Sequence, residues 1–277
     1  KTAFSLNIGE HVALETGLDR IKTIPIGTRV IRELHGILLR GVRGGESASG
    51  EYRTLQVHIG PTKRIEDATF IPPPANEIDA LMSRLEQFIH ERNDLPALVR
   101  FALIHYQFET IHPFYDGNGR VGRLLISLLL SAEQILDQPL LYLSAYFERH
   151  RDRYYSALRR VSTHGEWTEW VYYFLEGVRS QSFEAIDAAR RLLTLRDVYH
   201  RRLQTARSSA LIHRLIDDLF LYPAMSATRA AKLLGVTWRA AQQNIDKLVD
   251  ANILREVTGQ KRNRIFLAEE LVRSIEA

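Results

Sequence analysis

The stretch His112–Arg123, HPFYDGNGRVGR, puts a histidine, an acid, a Gly-Asn-Gly turn and two arginines into twelve residues. It sits between two apolar runs with helical spacing, LPALVRFALIHYQFETIH (95–112) and GRVGRLLISLLLSAEQIL (119–136). The stretch is therefore a loop that joins two helices and ends on the start of the second. A helix start offers unpaired backbone N–H groups and a partial positive charge, and glycines let an anion approach the backbone closely. Gly117, Asn118 and Gly119 read as a phosphate cradle. Arg120 and Arg123, three apart, share one face of the first turn, and their planar forks suit phosphate oxygens. Asp116, just before the cradle, supplies the carboxylate that Mg²⁺ needs when it arrives with a polyphosphate. His112 is placed to take a proton from an attacking hydroxyl. Pro113 fixes the loop backbone, and Phe114 is expected to plug into the core.

Outward from this loop, most of the chain is patterned for helices. Residues 10–22 and 28–40 carry apolar residues at helical spacing, among them Ile31, Leu34, Leu38 and Leu39. RGGESASGEY (43–52) is a turn-rich loop without the GK[ST] of a nucleotide-binding P-loop. LQVHIG (55–60) and ATFIPPP (68–74) alternate as strands, giving a small β-hairpin that three prolines close. NEIDALMSRLEQFIHER opens on Asn76 as an expected helix cap. Trp167, Trp170 and Phe174 fall at helical spacing and read as core. Arg53 is read as a structural salt-bridge residue rather than a substrate contact.

The last part differs in kind. HRLIDDLFL (213–221), SATRAAKLLG (226–235) and TWRAAQQNIDKLVDAN (237–252) read as three helices. ILREVTGQKRNRIFLAEEL (253–271) then reads as strand, turn, strand. That order predicts a winged helix-turn-helix. The net charge is +4, and residues 201–277 carry +5 of it, so the basic excess belongs to this end. Its partner could be DNA: Arg239, Gln242 and Gln243 on the third helix are of the types that read base edges, with Thr237 as the helix cap. Lys261, Arg262 and Arg264 in the wing could contact phosphates. The same module can instead serve protein contact or a homodimer. The expected division is 1–190 for the catalytic bundle, 191–212 for a helical connector and 213–277 for the winged helix.

Composition narrows the function classes. The chain of 277 residues has 45% apolar residues, enough for a packed core, and no cysteine, which excludes disulfides and thiolate chemistry. With no signal-like segment and no apolar run of membrane length, the expectation is a cytoplasmic protein with no membrane partner. The ten histidines show no HExxH or H-x₃-H spacing, so no zinc site is expected.

These residues resemble the Fic family, whose signature HPFx(D/E)GNGRxxR is matched at every defined position. The resemblance extends over most of the first 180 residues, including GEYRTLQVHIG, ATFIPPP and YFERHRDRYYSALRRVS. It implies a helical Fic bundle with a small β-hairpin flap, and transfer of AMP from ATP to a Ser, Thr or Tyr hydroxyl of a target protein. His112 would be the general base, and Asp116 would hold Mg²⁺ between the α- and β-phosphates. Gly117 to Gly119 would form the anion hole, Arg120 would contact phosphate, and Arg123 the γ-phosphate. The target would dock by strand addition on the flap near 56–72, with Thr69 and Phe70 bordering the nucleotide. Tyr154 and Tyr155 match a tyrosine pair that lines the adenosine pocket in relatives; Ser162 stands where some have Asn, so that contact is not carried over. The intact glycines favour AMP transfer over the kinase reaction of divergent members. The competing reading is a DNA-binding regulator whose Fic domain only senses nucleotide. Many Fic proteins restrain themselves with a helix bearing [S/T]xxxE[G/N], whose glutamate pairs with the second signature arginine. The nearest stretch here, YYFLEG (172–177), has Tyr172 in place of Ser or Thr. The chain starts at Lys1 without Met, and residues 1–21 resemble the segment just after that helix in relatives, so the inhibitory glutamate is expected upstream.

Overall fold

The computed structural model describes residues 8–40, 49–62, 64–136, 138, 141–203, 210–260 and 262–276. The chain divides into two compact units, residues 3–182 and 183–277. The division falls inside one long helix, α8, Trp167–Arg202. The expected connector, 191–212, takes in the last turns of α8, the start of the next helix and residues 204–209, which lie outside those described.

The first unit is a helical bundle. Its helices are α1 (Ile8–Arg20), α2 (Thr28–Leu38), α3 (Ile78–His90), α4 (Ala97–Ile111), α5 (Asn118–Ala132), α6 (Leu143–Arg149) and α7 (Arg151–His164), with the first part of α8. Apolar stripes drive the assembly. Helix α5 packs on α1, α2 and α4, and α3 packs on α4. The centre is filled by Phe101, Phe108, Phe114 and Leu128, with Trp170, Tyr173 and Phe174 from α8, none of them exposed to solvent. Trp170 meets the demand for a partner that burial puts on an indole N–H: Nε1 donates to the Ala102 carbonyl at 2.9 Å. Trp167, expected in the core, is 43% exposed and sits edge-on to Tyr106 at 4.8 Å between ring centroids. It begins the helix, where one turn is not yet covered.

The expected hairpin reduces to one antiparallel bridge, Ile59 to Phe70. The Ile59 N–H donates to the Phe70 carbonyl at 2.9 Å, and Thr69 and Phe70 both donate to the Ile59 carbonyl. Pro72–Pro74 have no N–H to extend a ladder. A side-chain bond, Gln56 Nε2 to the Pro72 carbonyl at 2.8 Å, takes over where the ladder stops. Gly60 allows the turn to close, since a Cβ there would stand 2.7 Å from the Asp67 carbonyl. Asn76 is not the cap of α3: a 3₁₀ turn, Ala75–Glu77, precedes the helix, with the Glu77 N–H donating to the Pro74 carbonyl at 3.0 Å and the Ile78 N–H to the Ala75 carbonyl.

The second unit runs α8 (its last part), α9 (Ala210–Leu219), β1 (Ala224–Ser226), α10 (Ala227–Leu234), α11 (Trp238–Asp250), β2 (Arg255–Glu256), β3 (Ile265–Leu267) and α12 (Glu269–Glu276). The strands form an antiparallel sheet in the order β1-β3-β2. Ser226 and Thr237 cap α10 and α11 with their hydroxyls. Ile212, Leu215, Met225, Ala241, Ile245, Leu248 and Phe266 make its separate core. Strand β1 was not expected, because three residues are too few to show an alternation, and α12 begins at Glu269, inside the stretch read as the second strand.

Candidate functional site

Helix α4 ends on Ile111, which is fully buried, and His112 turns the chain out of the helix with φ 49° and ψ 60°. A non-glycine residue in this left-handed conformation costs about 1 kcal/mol or more, so neighbouring structure must hold it. Arg53 does so. Its Nε donates to the His112 carbonyl at 2.9 Å, Nη1 to Leu55 at 3.1 Å and Nη2 to Pro73 at 2.6 Å, while its backbone N–H donates to the Pro113 carbonyl at 2.9 Å. Arg53 is structural as expected, but through carbonyls and not through a salt bridge.

The loop beyond is folded onto its own asparagine. Asn118 Oδ1 accepts from the Phe114 N–H at 2.9 Å, and its Nδ2 donates to the Phe114 carbonyl at 2.8 Å. The Asn118 side chain is thus a clamp buried under the loop, which leaves only its backbone N–H for the expected phosphate cradle. Phe114 lies fully buried and stacks on the His35 ring at 3.7 Å, nearly parallel. His35 fixes the next carbonyl. Its Nδ1 accepts from the Gly50 N–H at 2.9 Å, so the proton resides on Nε2, which donates to the Asp116 carbonyl at 3.0 Å. Burial holds the His35 pKa below its ordinary value, keeping this neutral tautomer. Tyr115 ties the other side, its hydroxyl accepting from the Thr54 and Leu55 N–H groups at 3.0 and 3.1 Å. His35→Ala removes a donor, a stacking partner and buried volume together. It is expected to lower stability by about 3 kcal/mol in urea unfolding of the full chain.

These anchors determine the face that the loop presents. Gly117 takes φ 82° and caps α5, whose first N–H groups have no partner within the helix; Gly117 and Asn118 are buried, while Gly119 and Arg120 are half-buried. Asp116 Oδ1 accepts from the Gly117 N–H at 2.6 Å, while Oδ2 stands 3.6 Å from Arg120 Nη2 in a side chain that is 74% exposed. One carboxylate oxygen therefore remains open toward solvent, as a magnesium ion needs when most of its ligands are waters and phosphate oxygens. Among the described residues no group of three or more His, Asp or Glu could hold a metal alone. His112 is held neutral, its pKa pushed down to about 4 by burial, with the nearby Arg53 cation acting in the same sense. A neutral imidazole is the form that can accept a proton.

Beside the loop lies a cavity of about 550 Å³. Thr69 and Phe70 line one wall, Glu109 and Thr110 of α4 the floor, and Tyr155, Ser156, Leu158 and Ser162 of α7 the other wall. Thr69, Phe70 and Tyr155 are thus brought together. Tyr154 is not with them: it is buried, and its hydroxyl pairs with His105 Nε2 at 3.0 Å. Adjacent helical residues point about 100° apart, so only one of the pair faces the cavity. Arg120 and Arg123 line a smaller cleft with Glu10 and Tyr142. Glu176 of YYFLEG pairs with Arg153 at 2.8 Å.

The candidates for nucleic-acid contact divide. Arg239, Gln243, Arg262 and Arg264 are exposed. Gln242 is buried, with its amide donating to Asp246 at 2.7 Å, so it cannot read a base edge. Lys261 lies outside the described residues. No helix among the described residues is long and apolar enough to cross a membrane.

Residues 25–130 match the Fic/DOC family. The chain is 29% identical over 170 residues to a probable protein adenylyltransferase of Aquifex aeolicus, an alignment covering 61% of this chain and 48% of that protein. It is 37% identical over 112 residues to the protein adenylyltransferase Fic of Drosophila melanogaster, covering 40% of this chain and 21% of that protein. The chain thus spans about half the length of the first relative and about a fifth of the second. In fold it is similar to a Fic family protein from Desulfovibrio desulfuricans, with TM-score 0.57, 20% identity, and coverage of 94% of this chain and 74% of that one. A Fic domain-containing signaling protein from Bacteroides thetaiotaomicron aligns with TM-score 0.50 and 24% identity over 66% of this chain and 71% of that one.

Proposed function

We propose, for a chain that carries a Fic/DOC domain in residues 25–130, that it transfers AMP from ATP to a hydroxyl side chain of a target protein and releases pyrophosphate. One observation carries the reading: a half-buried, neutral histidine ends α4 just before a glycine-capped helix start, and Glu109 and Thr110, the residues leading into it, line a cavity of about 550 Å³. The polyphosphate would lie against the first N–H groups of α5, with Arg120 and Arg123 neutralising its charge. The adenosine would occupy the cavity between Thr69–Phe70 and Tyr155. Asp116 would hold Mg²⁺, which supplies charge neutralisation on the phosphates. The target hydroxyl oxygen attacks the α-phosphorus, His112 takes its proton, and the bond to the bridging oxygen breaks as pyrophosphate leaves. Positioning and electrostatics suffice for such a displacement, so no protein nucleophile is needed.

Incubation of the full chain with ATP labelled at the α- or at the γ-phosphate tests the reading. Protein-bound label is expected from the α-position alone, and only with Mg²⁺; label from the γ-position would show a kinase. Arg123→Ala is expected to raise KM for ATP by about tenfold, the loss of one half-buried charge-assisted contact, measured by steady-state label transfer.

A further inference from the structure

AMP transfer through His112 leaves one buried ionisable group of the site without a task. Glu109 lies on α4 one turn before His112, and its carboxyl is wedged against α5. Its Oε1 is buried and makes no hydrogen bond. The wedge needs Gly122, where a Cβ would stand 2.5 Å from this oxygen, 3.2 Å from His105 Cε1 and 3.2 Å from the Phe108 ring. One turn earlier on α5, the Cβ position of Gly119 lies 3.0 Å from Arg123 Nη1 and 3.9 Å from Glu109 Oε1. The acid and the arginine thus converge on one glycine of the anion cradle, and they do so without forming an ion pair of contact length. A buried acid near a cation, with neither satisfied by the other, is a poor arrangement for stability alone. It suits a cation that must change partner.

We propose that Glu109 is the positioning residue for Arg123: its carboxylate is the counter-charge that keeps the guanidinium over the start of α5, and it takes up a proton from solvent when a nucleotide phosphate becomes the guanidinium's partner. The inference rests on the proposed nucleotide binding at the start of α5. The groups around Glu109 favour such an exchange. Arg123 faces it from α5 and favours the carboxylate. His105 and His112, from its own helix, are held neutral by burial and add no positive charge near neutrality. Tyr154 of α7 is held neutral as well. Arg151, Arg159 and Tyr155 line the cavity that Glu109 floors, and Glu10 and Tyr142 share the cleft of Arg123. Burial raises the Glu109 pKa to about 7, with Arg123 opposing the rise, so the carboxyl is poised between its two forms at neutral pH. Phosphate charge arriving at Arg123 cancels that opposition and tips the group to the acid.

The first test needs no nucleotide. The carboxyl is followed by ¹³C NMR of the full chain labelled at glutamate, with the Glu109 signal assigned by its loss in Glu109→Gln. It is expected to titrate near pH 7, and Arg123→Gln is expected to move the midpoint up by about one unit or more. A midpoint in the ordinary carboxylate range, or one that Arg123→Gln leaves in place, overturns the pairing. The second test is titration calorimetry of ATP with Mg²⁺ into the full chain at pH 7.5, in two buffers of different ionisation heat. Wild type is expected to take up a fraction of a proton on binding, and Glu109→Gln none. Equal uptake in the two proteins, or none in wild type, overturns the exchange. Conservative replacement separates positioning from mere support: Glu109→Asp should keep the proton uptake, whereas Glu109→Gln should lose it and also lose the neutral-pH inflection in KM for ATP. A chain that transfers no AMP yet shows the Arg123-dependent titration would sink the proposed activity and leave the pair standing. AMP transfer with an unmoved Glu109 would do the reverse.

Discussion

His112→Ala is expected to lower transfer of α-labelled AMP by roughly a thousandfold while ATP binding changes little, because a base acts only as the proton leaves the hydroxyl. Binding is read by calorimetry and transfer by protein-bound label, so the two effects separate. Transfer at wild-type rate would remove His112 from the mechanism. The same variant should also alter the response to acid. His112 titrates at about 4 in the fold and near 6.5 when unfolded, so between those values the unfolded chain binds the extra proton. Its contribution is fully present above about pH 6.5 and is lost as pH falls toward 4. His35 and His105, both lowered by burial, act in the same direction. Wild type should thus lose stability steeply on acidification, and His112→Ala less so, by about 3 kcal/mol over that window. Thermal melts at pH 7 and pH 4 would show it, and identical slopes would refute it.

The largest effect on stability is expected at Arg53. Arg53→Met keeps the buried stem but strips the donors from three carbonyls, those of His112, Leu55 and Pro73, in a site closed to water. Each orphaned acceptor costs about 1–3 kcal/mol, so the expected loss is about 4 kcal/mol or more, a large share of a typical domain's total. Arg53→Lys should recover little, because a single ammonium cannot span the carbonyls that a planar fork reaches. Urea unfolding of the full chain measures both. A loss below about 1 kcal/mol would mean that the loop holds itself.

The division between legible and hidden residues depends on how far their partners lie along the chain. The placement of His112, Asp116, the glycines and the arginines could be read because it depends on spacing within one loop and one helical turn. The capping hydroxyl of Thr237 is local and could be read for the same reason. His35 acts on a carbonyl 81 residues away, and Tyr115 on N–H groups about 60 residues away. No local pattern marks such partners. Glu109 looks like the polar edge of an apolar helix until α5 is packed on it. Tyr154 did carry a signal: with Ala157 and Val161 it continues the buried stripe of α7, and only Tyr155 falls off that stripe. Gln242, likewise, adjoins Ala241 and Ile245 on the buried face of α11. The short bridge in place of a hairpin was foreshadowed by the three prolines, whose missing donors shorten any ladder.

The single bridge from Ile59 to Phe70 has a use in protein engineering. Everything on the body side of it, from Arg53 to Gln56 and from Pro72 to Pro73, is bonded into the loop or across the two arms. The tip between the bridged residues is held by bonds among its own members, such as Thr62 to Asp67 and the 3₁₀ turn at Ile65–Asp67. It is a cassette with one clasp. Exchanging the tip while keeping Ile59, Gly60, Thr69 and Phe70 would redraw the outer face without touching Arg53, which steadies His112 through its carbonyl. A library confined to the exchanged tip would therefore test whether this face decides which protein the proposed reaction acts on.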